Sequence, residues 1–166
     1  GYTGRRAFLL GSAAVAAGSL STAQAQTPSS RIRNTRVSLA AYSHREALTS
    51  GQMDLFRFID WSAGLNVSGV ELTAYYFKEG FDRAYLRELR RRAFEQGLTV
   101  SGTAIRNNFC LPPGAERQKE IDGVRRWIDH AAELWAPHIR MFAGEIPAGA
   151  DKKTAIGYVA DCIRMV

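Results

Sequence analysis

Four short apolar stretches, beginning near residues 37, 69, 98 and 139, each run into a polar loop and then into an amphipathic segment. A strand–loop–helix unit recurring every roughly 30–40 residues constrains this chain more than any other feature. Strands separated by a helix cross over right-handed, which lays them parallel in one sheet. The spacing predicts strands over Val37–Tyr42, Gly69–Thr73, Leu98–Ile105 and Ile139–Ala143. It predicts helices over Met53–Ala63, from an Asp82 N-cap to Gln96, over Glu116–Trp135, and from near Asp151 onward. Gly64 and Gly97 stand where helices end. Ile121, Val124, Ile128, Ala131 and Trp135 recur at helical spacing, as do Ile156, Val159, Ile163 and Val166, so each set is expected on one inward face. Arg87, Arg90, Arg91 and Arg92 fall on an outer helix face and read as solvated. Ser43-His44-Arg45-Glu46 reads as a loop.

Two architectures take such units: an open doubly wound sheet and a closed barrel. A dinucleotide-binding sheet carries a glycine-rich turn after its first strand, and Tyr42-Ser43-His44-Arg45 stands there instead. The expected fold class is therefore α/β, a (β/α)8 TIM barrel of which the first four βα units are present. A whole barrel takes about 250 residues. The chain has 166 and ends inside an apolar helical pattern, so residues 36–166 are expected to be an N-terminal half barrel. Two unpaired sheet edges would leave it marginally stable by itself.

Residues 1–25 read as an export signal. Arg5-Arg6 with Phe8 and Leu9 behind them resembles a twin-arginine leader, and Ala23-Gln24-Ala25 fits a cleavage site before Gln26. Residues 26–35 form a polar linker. Export through the twin-arginine translocase to the periplasm or beyond is the expectation. No cysteine lies near the cleavage site to carry a lipid, and the run is too polar for a stable membrane anchor. Loss of Arg5 and Arg6 lowers the formal charge from +6 to +4, too little and too dispersed to argue for nucleic acid. Self-association into a homo-oligomer is compatible with the sequence. Cys110 and Cys162 lack metal-type spacing; Cys162 reads as a core thiol and Cys110 as a loop residue.

Chemistry in a parallel barrel gathers where strands end. Those positions are Tyr42, Ser43 and His44; Glu71, Thr73, Tyr75 and Tyr76; Thr103, Arg106, Asn107 and Asn108; and Gly144 with Glu145. Amides and acids grip hydroxyl pairs, and aromatic rings take the C–H faces of sugars. Tyr42, His44, Glu71, Thr103, Arg106 and Asn107 are accordingly the substrate-binding candidates for a carbohydrate. Glu71, an acid inside an apolar strand, needs a polar pocket or an arginine such as Arg36 or Arg106. His44 serves equally well as a capping group. One histidine and two acids spread over three strand ends do not make a metal cluster. No nucleophile stands beside a base, so no catalytic residue and no metal ligand is assigned.

The succession Val37–Tyr42, Gly69-Val70-Glu71-Leu72, Val100–Ala104, Trp127–Leu134 and Ile139–Gly144 resembles the sugar phosphate isomerase/epimerase family, with its xylose-isomerase-like barrel. The resemblance spans residues 36–166 and matches the family's N-terminal half. It implies an isomerase or epimerase of sugars or related polyols that depends on a divalent metal (Mn²⁺, Mg²⁺, Co²⁺ or Zn²⁺). In such enzymes a carboxylate moves a proton between carbons beside the ion. The family's ligands lie on later strands, so none is carried over. Glu145 stands where an uncharged residue is usual. A barrel-type phosphodiesterase or endonuclease and a non-catalytic periplasmic sugar-binding module are the alternatives.

Overall fold

A computed structural model describes residues 35–166; the leader over 1–25 and nearly all of the linker over 26–35 lie outside the described residues. The elements run β1 (Ser38–Ala40), α1 (Arg45–Thr49), α2 (Leu55–Ala63), β2 (Gly69–Thr73), α3 (Arg83–Glu95), β3 (Thr99–Ala104), α4 (Ala115–Leu134), β4 (Ile139–Arg140) and α5 (Lys152–Met165). All four strands are parallel and lie in the order β1-β2-β3-β4. Sequential order is that of a barrel wall. A doubly wound sheet instead reverses its strand order at a switch point.

Alternation decides which face of the sheet is buried. Val70 and Leu72 of β2 join Val100 of β3 beneath Leu55, Phe58 and Ile59 of α2 and Leu86, Leu89 and Ala93 of α3. A second cluster, Ile105, Phe109, Ile121, Val124 and Cys162, lies under α4 and α5. The helices start where side chains take up orphan amides: Asp54 accepts from Arg57 N at 2.8 Å and Asp82 from Tyr85 N at 2.9 Å.

Several expectations change. The stretch expected as the loop Ser43–Glu46 is a 3-10 turn running into α1. Nothing breaks the helix before Gly51, Glu46 sits favourably in its first turn, and buried Leu48 anchors it. The arginines of α3 lie on a solvated face, as expected, and also strap neighbouring helices together. Arg92 forks onto Asp60 of α2 at 2.6 and 2.7 Å, Arg87 meets Glu133 of α4 at 3.1 Å, and Arg91 pairs with Glu88 and Glu95. Arg90 donates to the Glu133 carbonyl and covers the ring of Trp135 at 4.1 Å. Trp135 and Ile128, placed inward by periodicity, are exposed; for Trp135 the reason is that α4 ends at Leu134 and Trp135 takes the left-handed conformation. Ile156 and Ile163 of α5 are bare too, since α5 flanks the last strand and has packing on one side only. Both cysteines are free and buried. Among the described residues no helix is long and apolar enough to cross a membrane.

Phe58 is fully buried, so Phe58→Ala should cost about 3–5 kcal/mol, read as a lowered urea midpoint. His130 packs against Phe81 and Trp127 at 5.0 and 5.2 Å, and burial holds its pKa below the ordinary value. The unfolded chain then takes up this proton first. The contribution of His130 is complete above about pH 6.5 and fades as the pH falls through its lower folded value. His130→Gln should flatten that part of the stability–pH curve in acid denaturation.

Candidate functional site

The ends of β3 and β4 are joined by more than the two-residue β4. The amides of Thr103 and Ile105 donate to the carbonyls of His138 and Arg140 at 3.1 and 3.0 Å. Beyond them the Asn107 side chain takes the place of a backbone unit. Its Nδ2 donates to the Phe142 carbonyl at 2.7 Å, and its Oδ1 accepts from the Phe142 amide at 2.8 Å. Phe109 N then donates to Ala143 O at 2.9 Å. The pairing expected of a strand reaching Ala143 thus exists, but it passes through a side chain. The loop beyond is tied down as well. Asn108 Oδ1 accepts from Cys110 N at 3.0 Å, and Asn108 N donates to Glu120 Oε2 of α4 at 3.0 Å. Gly144 has φ +109°, and a Cβ there would overlap the Asn108 side chain, so only glycine lets the two loops touch.

These ties frame a cavity of about 540 Å³, walled by Arg106, Asn108, Glu120, Phe142 and Glu145, with Asn107 behind. A neighbouring cavity of about 600 Å³ opens among Tyr42, Arg45, Glu46, Tyr75 and Tyr76. A row of two rings flanked by two cations joins the two across three strand ends. The Arg45 guanidinium lies 5.6 Å from the Tyr42 ring, Tyr42 meets Tyr75 edge-on at 6.5 Å, and Arg106 lies 5.6 Å from Tyr75. Burial raises the Tyr76 phenol above its ordinary pKa, with Tyr42 nearby adding to the effect.

The structure therefore brings together Tyr42, Arg106 and Asn107 of the expected set. Asn107 faces the cavity as its frame, because both ends of its amide are taken by Phe142. His44 turns away from the rim and packs on Trp61 and Phe58 of α2 at 4.2 and 5.7 Å. Thr103 lies in register with Leu72 and Ile139, on the face packed against the helices, and its hydroxyl is buried without a hydrogen-bond partner. Glu71 is half-buried and accepts from Thr73 Oγ1 at 3.4 Å; among the described residues it makes no ion pair with Arg36 or Arg106. Arg45, Glu120 and Phe142 were missed. Arg45 lay in the misread loop, and Glu120 carries no local mark of the chain folding back onto it.

Among the described residues no three His, Cys, Asp or Glu side chains converge, and Glu120 is engaged by Asn108. These four units do not by themselves fit a divalent metal.

A parallel strand–helix wall with its cavities at the strand ends defines a barrel of the α/β class. The chain belongs to the xylose isomerase-like TIM barrel family, whose model matches residues 59–166. No curated protein matches it. Among solved structures it is similar to protein SMc04130 from Sinorhizobium meliloti 1021, at 26% identity and TM-score 0.60 over 80% of this chain and 45% of that one. It is also similar in fold to a D-psicose 3-epimerase solved in the presence of D-fructose, at 18% identity and TM-score 0.63 over 76% of this chain and 45% of that one. A D-psicose 3-epimerase with D-tagatose from Clostridium cellulolyticum H10 aligns at 16% identity and TM-score 0.60, over 68% of this chain and 41% of that one. The chain spans less than half the length of each of these structures.

The role given to Asn107 is testable by substitution. Asn107→Asp keeps the acceptor for Phe142 N but sets a carboxylate against the Phe142 carbonyl, whereas Asn107→Ala removes both bonds. Each should lose about 1–3 kcal/mol of unfolding free energy in urea titration. An unchanged midpoint in both variants contradicts the role.

Proposed function

We propose that the chain is the N-terminal half of an exported, divalent-metal-dependent sugar isomerase or epimerase, and that its strand ends bind and orient a ketose or polyol. The observation that carries this reading is the rim Arg45–Tyr42–Tyr75–Arg106, which leads into the cavity beside Phe142 and Glu145. Ring faces suit the C–H surface of a sugar, and guanidinium forks suit its oxygens. The family and the fold shared with the two epimerase structures support the reaction class. The ion would take its ligands from units beyond these four, so the residues present serve binding and exclusion of water. The paired arginines at the start of the sequence support export in folded form.

The test uses the full-length protein with Mn²⁺, Mg²⁺ or Co²⁺ against a panel of ketoses in heavy water. Deuterium should enter at the reacting carbon of one sugar. Tyr75→Ala should raise KM about fivefold, the equivalent of about 1 kcal/mol of lost aromatic contact. Absence of both turnover and metal uptake rules the reading out. Steeply salt-dependent DNA binding would favour the phosphodiesterase alternative.

A further inference from the structure

The two cysteines of the chain come together where α5 lies on the loop after β3. Cys162 Sγ sits 3.9 Å from the Phe109 carbonyl oxygen, one peptide bond ahead of Cys110. Cys110 Sγ sits 3.5 Å from Ala143 O, which also accepts from Phe109 N at 2.9 Å. Both thiols are free and buried. Burial pushes the Cys162 thiol above its ordinary pKa, nearby Arg117 opposes this, and Asp161 and Cys110 add to it. The two sulfurs are thus near enough for a charge on one to be felt at the other.

Arg117 is the second observation. It stands in the first turn of α4, is only 8% exposed, and its Nη1 is buried without a hydrogen-bond partner. The Tyr158 ring of α5 lies 5.8 Å from its guanidinium, and among the described residues no carboxylate pairs with it. A buried cation with no acid to answer it is costly. Beside thiols it has a use, because it favours the thiolate, the form that attacks a disulfide. The third observation is mechanical: α5 packs on one side only and leaves Ile156 and Ile163 bare, so a covalent tie would add most there.

We propose that Cys110 and Cys162 are a redox pair whose disulfide locks α5 onto the loop framing the strand-end cavity. Cys110 N already donates to Asn108 Oδ1, in the wall of that cavity, so the tie reaches the site directly. The oxidant is a low-molecular-weight disulfide. The Cys110 thiolate attacks one of its sulfurs, its S–S bond breaks, and one thiolate leaves. Cys162 gives its proton to solvent and attacks the Cys110 sulfur, expelling the second thiolate. One external disulfide is reduced to two thiols, two cysteines are oxidised to one disulfide, and two protons pass to the leaving thiolates. Ala143 O keeps its bond from Phe109 N when the Cys110 S–H is lost. The pair stands on the packing of α5 and does not require the sugar-enzyme reading; export, proposed above, would keep it oxidised.

The test treats the reduced full chain with oxidised glutathione, both in the native state and during refolding from urea. Remaining thiols are then alkylated and the chain is cut with trypsin. Peptides 107–117 and 154–164 should be joined within one chain and should separate on reduction. Closing a loop of about 50 residues should raise the melting temperature by about 10 °C over the reduced form. That difference should vanish in Cys110→Ser and in Cys162→Ala, whatever each substitution does to stability itself. Arg117→Met should slow closure in the native chain about tenfold yet leave the same two peptides joined at the end. An unchanged rate overturns the part given to Arg117. Two alkylated cysteines after both treatments, a link between chains rather than within one, or equal melting of the oxidised and reduced forms overturns the proposal.

Discussion

The side-chain amide of Asn107 holds the rest of the site in place. Where β3 and β4 end, their backbones diverge into loops, and both backbone polar groups of the exposed Phe142 take a side chain as their partner. Each such bond contributes about 0.5–1.5 kcal/mol. Asn107, itself buried, answers both with one planar group, a donor at one end and an acceptor at the other. This bond pair fixes Phe142 as a cavity wall and brings Gly144 against Asn108. It also leaves Arg106, one residue earlier, free to lie over Tyr75.

Beneath that frame the fold rests on apolar burial. The cluster around Val70, Leu72, Phe58 and Leu89 joins β2 and β3 to α2 and α3, and the Ile105–Phe109–Cys162 cluster does the same for α4 and α5. The arginine straps across α3 are solvent-exposed pairs, each worth roughly 0–1 kcal/mol. They set helix register more than they set stability. The bare Ile156 and Ile163 of α5 mark the flank of the outermost strand, where apolar surface has no cover among the described residues.

The sequence made the fold legible because each unit carries its own punctuation. The bounds of β2 came out as expected, and Asp82 caps α3 as its position suggested. A helix as short as α1 escaped notice because five residues give too little periodicity to read. Periodicity also overreached: it placed Ile128 and Ile163 inward without knowing how many neighbours each helix has. The site was legible only at the level of strand ends. Arg106 and Tyr42 reach the cavities, but Thr103 faces the helices and His44 lies on α2. A shift of one residue along a strand reverses the face a side chain presents, and the irregular pairing between Val70 and Glu71 makes such a shift invisible to pattern. The double role of Asn107 depends on a loop 35 residues away in the chain, which no local signal reports.

The most direct measurement is hydrogen exchange at Asn107 and Phe142 by NMR in the unmodified chain. The account predicts slow exchange of one Asn107 side-chain amide proton and of the Phe142 amide, with a scalar coupling across the bond from Nδ2 to the Phe142 carbonyl. An Asn107 side chain that exchanges as fast as an exposed amide, with no coupling to Phe142, would contradict it.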